Sequence, residues 1–163
     1  MPEQEAIERA HEDAREGKSP STQAGEFVRQ EIDHIREGKH GARSTKQAIA
    51  IGLSEARRAG IDVPVSKSSS PATRKQAERD VERSREPHRE VSATRSRATE
   101  KALKKEGRAA ASHSALSKQA RLSAGARTAS ERSSAARKAV RTKGAAGRSA
   151  AAKKAARTRA RRK

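Results

Sequence analysis

The chain has no cysteine, no tryptophan and no tyrosine, and only one phenylalanine and one methionine. Without cysteine there is no disulfide, no thiol nucleophile and no thiolate metal site. With a single Phe in the chain and none of Phe, Trp or Tyr in residues 107–163, the stacking platforms of single-strand nucleic-acid binders are missing from the basic tail. No apolar run approaches the ~20 residues of a membrane span. The acidic start "MPEQEAIERAHEDAREG" has neither the apolar stretch of an export signal nor the arginine richness of a transit peptide. A soluble, cytoplasmic protein with no membrane partner is the expectation. Hydrophobic residues are also scarce, at 31%, and many of them are alanine. At roughly 25 cal/mol per Å² of buried apolar surface, alanine offsets little of the ordering entropy of a long chain. One large globular domain is therefore not expected, and low hydrophobicity with high net charge predicts substantial disorder.

What the chain has in abundance is positive charge, with 39 Lys and Arg against 20 Asp and Glu, a net of +19 over 163 residues. The excess is uneven. Residues 1–67 carry 11 cations and 12 acids, residues 68–106 carry 11 and 7, and residues 107–163 carry 17 and one, Glu131. A near-neutral head is joined to a strongly basic tail, and such tails usually meet polyanions.

The head reads as three short helices. The first, about 3–16, sets Ala6, Ile7, Ala10 and Ala14 on one stripe and stops at Gly17. The second starts near "SPST" (19–22), carries Phe27, Val28, Ile32 and Ile35 at helical spacing, and stops at Gly38. The third takes Ser44 or Thr45 as its cap and runs through Ile49, Leu53 and Ala56 to Gly60. Gly52, in mid-helix, costs about 1 kcal/mol against alanine, a cost that close packing on the second helix would explain. "IDVPV" (61–65) follows as an extended strap whose Ile61, Val63 and Val65 can cover the open end. A core this small is marginal alone.

Beyond the linker "SKSSSP" (66–71), "ATRKQAERDVERSRE" (72–86) is a charged helix with little to bury, ended by Pro87. The segment from Ser96 to Gly125 resembles a shortened echo of the head. "IREG" (35–38) followed by "GLSEARRAG" (52–60) compares with "KKEG" (104–107) followed by "ALSKQARLSAG" (115–125). From Ala126 onward the chain is Ala/Ser/Lys/Arg low complexity, with near-repeats "SAARKA" (134–139) and "SAAAKKAA" (149–156). Alanine, lysine and arginine favour helix, but uncompensated cations repel. The tail is expected to be largely disordered until phosphates neutralise it.

The loop "GKHGARST" (38–45) invites a nucleotide-binding reading. A Walker loop needs lysine directly before the Ser/Thr that holds magnesium, whereas Arg43 precedes Ser44 and no apolar strand lies upstream. The remaining reading is a capped helix start, with Lys39, Arg43, Ser44 and Lys46 placed to accept a backbone phosphate. Gln47 and Lys46 are where a recognition helix would read bases, but the preceding loop is longer than a helix-turn-helix turn. His34, Glu37 and His40 lie near one helix end, yet their spacing matches no strong metal motif and cations surround them. His11, His88 and His113 stand alone as surface residues, and no catalytic constellation can be assembled. Glu55 near Arg58 fits a salt-bridged helix face. No enzyme, no metal and no cofactor are expected.

The head string "SPSTQAGEFVRQEIDHIREGKHGARSTKQAIAIGLSEARRAGI" resembles a family of small basic bacterial proteins labelled DNA-binding or plasmid-stabilisation proteins. "SRATEKALKKEGRAAASHSALSKQA" looks like a second block shared with that family, and the tail is similar in composition to histone H1. The resemblance implies a bacterial origin and association with DNA, and carries over no catalytic residue.

The expected architecture is all-α. It comprises a small helical head (1–66), a charged linker and helix (67–92), a short helical hairpin (93–125) and a largely disordered basic tail (126–163). The expected function is sequence-independent binding of double-stranded DNA at the nucleoid. Its main contacts would be Arg137, Lys138, Arg141, Lys143, Arg148, Lys153, Lys154, Arg157, Arg159, Arg161, Arg162 and Lys163, since phosphate neutralisation needs charge alone. Structured RNA stays open as a partner, as does an adaptor role in which the head binds a protein or a second copy of itself.

Overall fold

The computed structural model describes residues 4–66, 69–86 and 92–161, and all regular structure among them is helical. The elements are α1 (Gln4–Arg15), α2 (Pro20–Glu37), α3 (Thr45–Arg58), α4 (Pro71–Arg85), α5 (Ala93–Lys104), a 3₁₀ turn (Ala109–Ala111), α6 (His113–Gly125) and α7 (Ala129–Ala160). Pro87, expected to stop α4, lies outside the described residues, as do His88, Arg162 and Lys163. The chain divides into two compact units, Met1–Gln119 and Ala120–Lys163, and the division falls inside α6.

In the first unit α2 packs against both α1 and α3, and α4 packs against α3. Pro20 opens α2, where its missing N–H is no loss. Gly38 ends α2 in the left-handed region at φ 83°. The Gly38 N–H donates to the Ile35 carbonyl and the Lys39 N–H to the His34 carbonyl, at 3.2 and 3.0 Å. This is the Schellman pattern that satisfies the last carbonyls of a helix.

Two small cores result. The first gathers Ala6, Ala10, Ala24, Phe27 and Ala56, closed by Ile61 and Val63 from the strap after α3. Ala14, expected on the α1 stripe, is exposed. The second core holds Ile32, Ile35, Ala42 and Ala48 from the α2–α3 hairpin, together with Ala110 and Ala111 of the 3₁₀ turn and the flanking Leu116. Sequence pattern alone sets residues 93–125 apart as a hairpin; the structure seats residues 109–111 of that segment in the core of the head. α4, expected to bury little, sets Ala77 and Asp80 against α3, where the Asp80 carboxylate accepts from the Ser54 hydroxyl at 2.7 Å.

The basic tail departs from expectation. It is helical over Ala129–Ala160 instead of largely disordered. Thr128 and Glu131 form a reciprocal capping box at its start, which satisfies orphan N–H groups, and the alanine, lysine and arginine that follow are strong helix formers. Among the described residues of α7 no side chain is buried, so this helix rests on local propensity and capping.

Gly52 is the closest point between α2 and α3. A Cβ there would lie 2.7 Å from the Val28 Cα and 3.0 Å from the Phe27 carbonyl oxygen, so the packing expected at this glycine is present. Gly52→Ala improves helix propensity by about 1 kcal/mol but overfills a backbone contact, which typically costs about 1–3 kcal/mol. The expected outcome is a lower midpoint for the cooperative part of the urea transition, followed by helical circular dichroism. A raised midpoint would contradict the close approach.

Candidate functional site

Three regions carry the chemistry: the start of α3, the end of α2 with its loop, and α7. At the start of α3, Ser44 is the N-cap, in extended conformation, and its Oγ accepts from the Gln47 N–H at 3.2 Å. Gln47 answers by accepting from the Arg43 N–H at 3.0 Å. Gln47 is thereby turned toward its own loop, away from a base-reading role. Thr45 points inward, and its hydroxyl donates to the Ala110 carbonyl at 2.7 Å. Lys39, Arg43 and Lys46 are exposed. Lys39 is ion-paired with Glu37 at 3.3 Å, so a phosphate would have to compete for it.

The loop before α3 is held by the segment that follows α5. The Gly41 N–H donates to the Leu103 carbonyl at 3.0 Å and the Ala42 N–H to the Gly107 carbonyl at 3.2 Å. A side chain at Gly41 would overlap the Glu106 carbonyl, so only glycine fits there. A polar cleft of about 430 Å³ opens beside this contact, lined by Glu37, His40, Lys104, Glu106 and Arg108 among others. Its mixed charges and lack of apolar walls do not resemble a small-molecule pocket.

Beneath the loop lies a cluster that sequence spacing does not assemble. Glu31, His34 and His40 each offer a ligand atom, all within 4.8 Å of one another. Glu31 is 2% exposed. One carboxylate oxygen, Oε1, has no hydrogen-bond partner, and the other faces His40 Nε2 at 3.5 Å. The two imidazoles meet edge to face with centroids 6.1 Å apart. Burial pushes the Glu31 carboxyl up to about 7, against the pull of His40 and with the push of Glu55. Burial also raises the Glu55 carboxyl, while the charges of Arg58, His34 and His40 draw it back. Sequence spacing points to Glu37 as the acid beside these histidines. Glu37 instead lies at the cleft with Lys39. The i,i+3 pair Glu31 and His34 is the available signal, but which acid meets His40 depends on how the chain returns after Gly38.

On α7, the candidates Arg137, Lys138, Arg141, Lys143, Arg148, Lys153, Lys154, Arg157 and Arg159, with Arg161 just after it, are all exposed. The backbone leaves helical geometry at Gly144 (φ 62°, ψ 177°), and this kink reveals a register that the near-repeats only hint at. "RSSAARKAVRTK" (132–143) and "RSAAAKKAARTR" (148–159) are two copies of one pattern, offset by sixteen residues. Every cation in one copy stands opposite a cation in the other, and Gly144 lies between the copies. Arg132, the counterpart of Arg148, therefore joins the candidates. At 3.6 residues per turn, Arg137, Lys138 and Arg141 share one side of the first copy, and Lys153, Lys154 and Arg157 share the equivalent side of the second.

Residues 17–67, less than a third of the chain, match the model of a family of unknown function, DUF6496. The match covers α2, α3 and the strap, and with them Glu31, His34, His40 and Glu55. No curated protein and no solved structure matches the chain.

Glu31 makes a pH prediction. Its carboxyl sits at about 7 in the folded chain against an ordinary 4.5, so between those values the folded state holds a proton that the unfolded state has released. Stability must therefore fall as pH rises through this window, with the full cost present above it. The groups that face Glu31 are His40 on the loop, whose charge lowers it, Glu55 on α3, whose charge raises it, and His34 on α2. In chelator-containing buffer, Glu31→Gln should raise the melting temperature at about pH 8 more than at about pH 5. Parallel wild-type and variant curves across the window would refute the assignment.

Proposed function

We propose that the protein is a non-enzymatic nucleic-acid binder whose basic second unit neutralises the phosphates of duplex DNA, as at a bacterial nucleoid. The observation that carries this reading is the duplicated cation pattern of α7, exposed to solvent and broken by a kink between its copies. Within the chain, Arg137 contacts the Ser133 hydroxyl and Arg148 the Gly144 carbonyl, both local to the helix, and the cations stay exposed to solvent around a helix with no apolar face to bury. Glu131, the one acid of α7, is engaged in the cap, so little internal compensation is left. Sixteen residues of unbroken helix would rise about 24 Å; the kink at Gly144 interrupts that line and lets the two copies follow a curved backbone. The lack of Phe, Trp and Tyr in the tail favours duplex over single strands, which are usually held by stacking. Contacts of this kind are sequence-independent and release counterions.

An isolated alanine-rich helix is marginal in water, and like charges weaken it further. Phosphate binding should therefore deepen the helicity of α7. In the head, Arg43 and Lys46 add a secondary phosphate contact beside the α3 cap. The head itself supplies placement, self-association or a protein contact.

The test is affinity of the full chain for duplex DNA and for structured RNA across a salt series. Each phosphate neutralised contributes about −0.9 to the slope of log K against log salt. Removing residues 147–163 takes away the five cations of the second copy and those that follow it, so the slope should become shallower by at least about 4. Removing residues 126–163 should lower affinity by orders of magnitude. An unchanged slope after the first deletion would refute the two-copy reading. A clear RNA preference at equal salt would move the assignment to structured RNA, and a shallow slope on both would favour the adaptor role.

A further inference from the structure

We infer that Glu31, His34 and His40 form a binding site for a divalent transition-metal ion of the zinc type, which pins the end of α2 to the loop that opens α3. The inference rests on three independent features of the cluster. The first is an unpaired ligand atom. Glu31 is 2% exposed and its Oε1 is buried with no hydrogen-bond partner. A buried carboxylate left in this state is costly once ionised; below its raised pKa a proton relieves it, and above it a bound cation does.

The second is the setting of His40. Its Nδ1 lies 3.2 Å from the Gly41 carbonyl. A carbonyl can only accept, so Nδ1 carries a proton, and in the neutral imidazole Nε2 is then the nitrogen with the free lone pair. Nε2 is the atom turned to Glu31. Histidine ligands are commonly oriented in this way, by donating the other ring N–H to a backbone carbonyl. The Gly41 backbone is in turn fixed by the Leu103 carbonyl, so the orienting group is itself held.

The third is spacing. The separation of His40 Nε2 from Glu31 Oε2, at 3.5 Å, is too long for a good hydrogen bond. Two ligands of one tetrahedral zinc, each bonded at about 2.0–2.2 Å, lie about 3.4 Å apart. His34 joins from one helical turn along α2, within the same 4.8 Å span. Two imidazoles with a carboxylate suit zinc and its neighbours and do not suit calcium or magnesium, which take oxygen ligands. Glu55, whose carboxyl feels the charge of both histidines across the hairpin, adds a second negative charge to offset the cations nearby. The fourth position is left to water.

The experiment uses the full, untagged chain without nucleic acid, so its outcome is separate from that of the DNA assays. Cobalt(II) is titrated as the spectroscopic probe and then displaced with zinc. The expected result is saturable one-to-one binding with the visible absorption of four-coordinate cobalt, and a rise in melting temperature with zinc. His40→Gln and Glu31→Gln should each weaken binding about tenfold or more, as loss of a metal ligand or its support does. Absence of one-to-one binding, or binding unaffected by His40→Gln, would overturn the site. Should either variant fail to fold, imidazole NMR of the wild-type chain decides. Zinc-induced shifts of His34 and His40 support the site, and shifts confined to His11, His88 or His113 overturn it.

Discussion

The seating of the 3₁₀ turn against the α2–α3 hairpin is the contact on which the first unit depends. Ala110 and Ala111 fill the space between Ile32, Ile35 and Ala48, and the chain on either side of them is bound by backbone groups. Thr45 donates to the Ala110 carbonyl, Arg36 Nε donates to the Ala111 carbonyl at 3.1 Å, and the loop amides of Gly41 and Ala42 donate to the Leu103 and Gly107 carbonyls. Alanine side chains bury little area, so their methyl groups alone would hold this contact weakly. The hydrogen bonds satisfy backbone groups that burial would otherwise leave unpaired. Together they make a short, alanine-rich segment far along the chain the closing piece of a small hairpin.

That contact also sets the chemistry at the end of α2. Because the loop is drawn toward Leu103 and Gly107, His40 is folded back under it and meets Glu31. The same path turns Ser44 and Gln47 into a reciprocal cap and leaves Arg43 and Lys46 in solvent. The first unit thus contains a polar cluster of one buried and two half-buried side chains beside an exposed basic edge, both governed by one short loop. The second unit works by the opposite principle. It buries none of the described side chains of α7 and carries repeated charge in place of a shaped site.

Much of this is legible in the residues. Gly38 followed by a polar loop, the spacing of Phe27, Ile32 and Ile35, and the Ser-Thr pair at 44–45 locate α2 and α3, because helix stops, stripes and caps are local signals. Gly52 announces a close helix contact for the same reason: nothing local rewards a glycine there. The basic tail is plain from composition. Its helix is less so, because repulsion among cations argues against helix while the capping box at Thr128 and the propensity of the alanines argue for it. The sixteen-residue register shows in the order of the cations and is blurred when the near-repeats are matched through their alanines.

By itself the amino-acid sequence determined the all-helical character, the two helices of the hairpin and the strap that closes it, and the split between a neutral head and a basic tail. These follow from periodicity, capping and charge, which act over a few residues or by simple summation. Only the tertiary structure decided that residues 109–111 complete the head's second core, that Gly41 must have no side chain, and that Glu31 rather than Glu37 stands beside His34 and His40. Each of those depends on where two distant backbone segments meet, and a match of alanines or a pair of equivalent glutamates carries no local signal of that meeting.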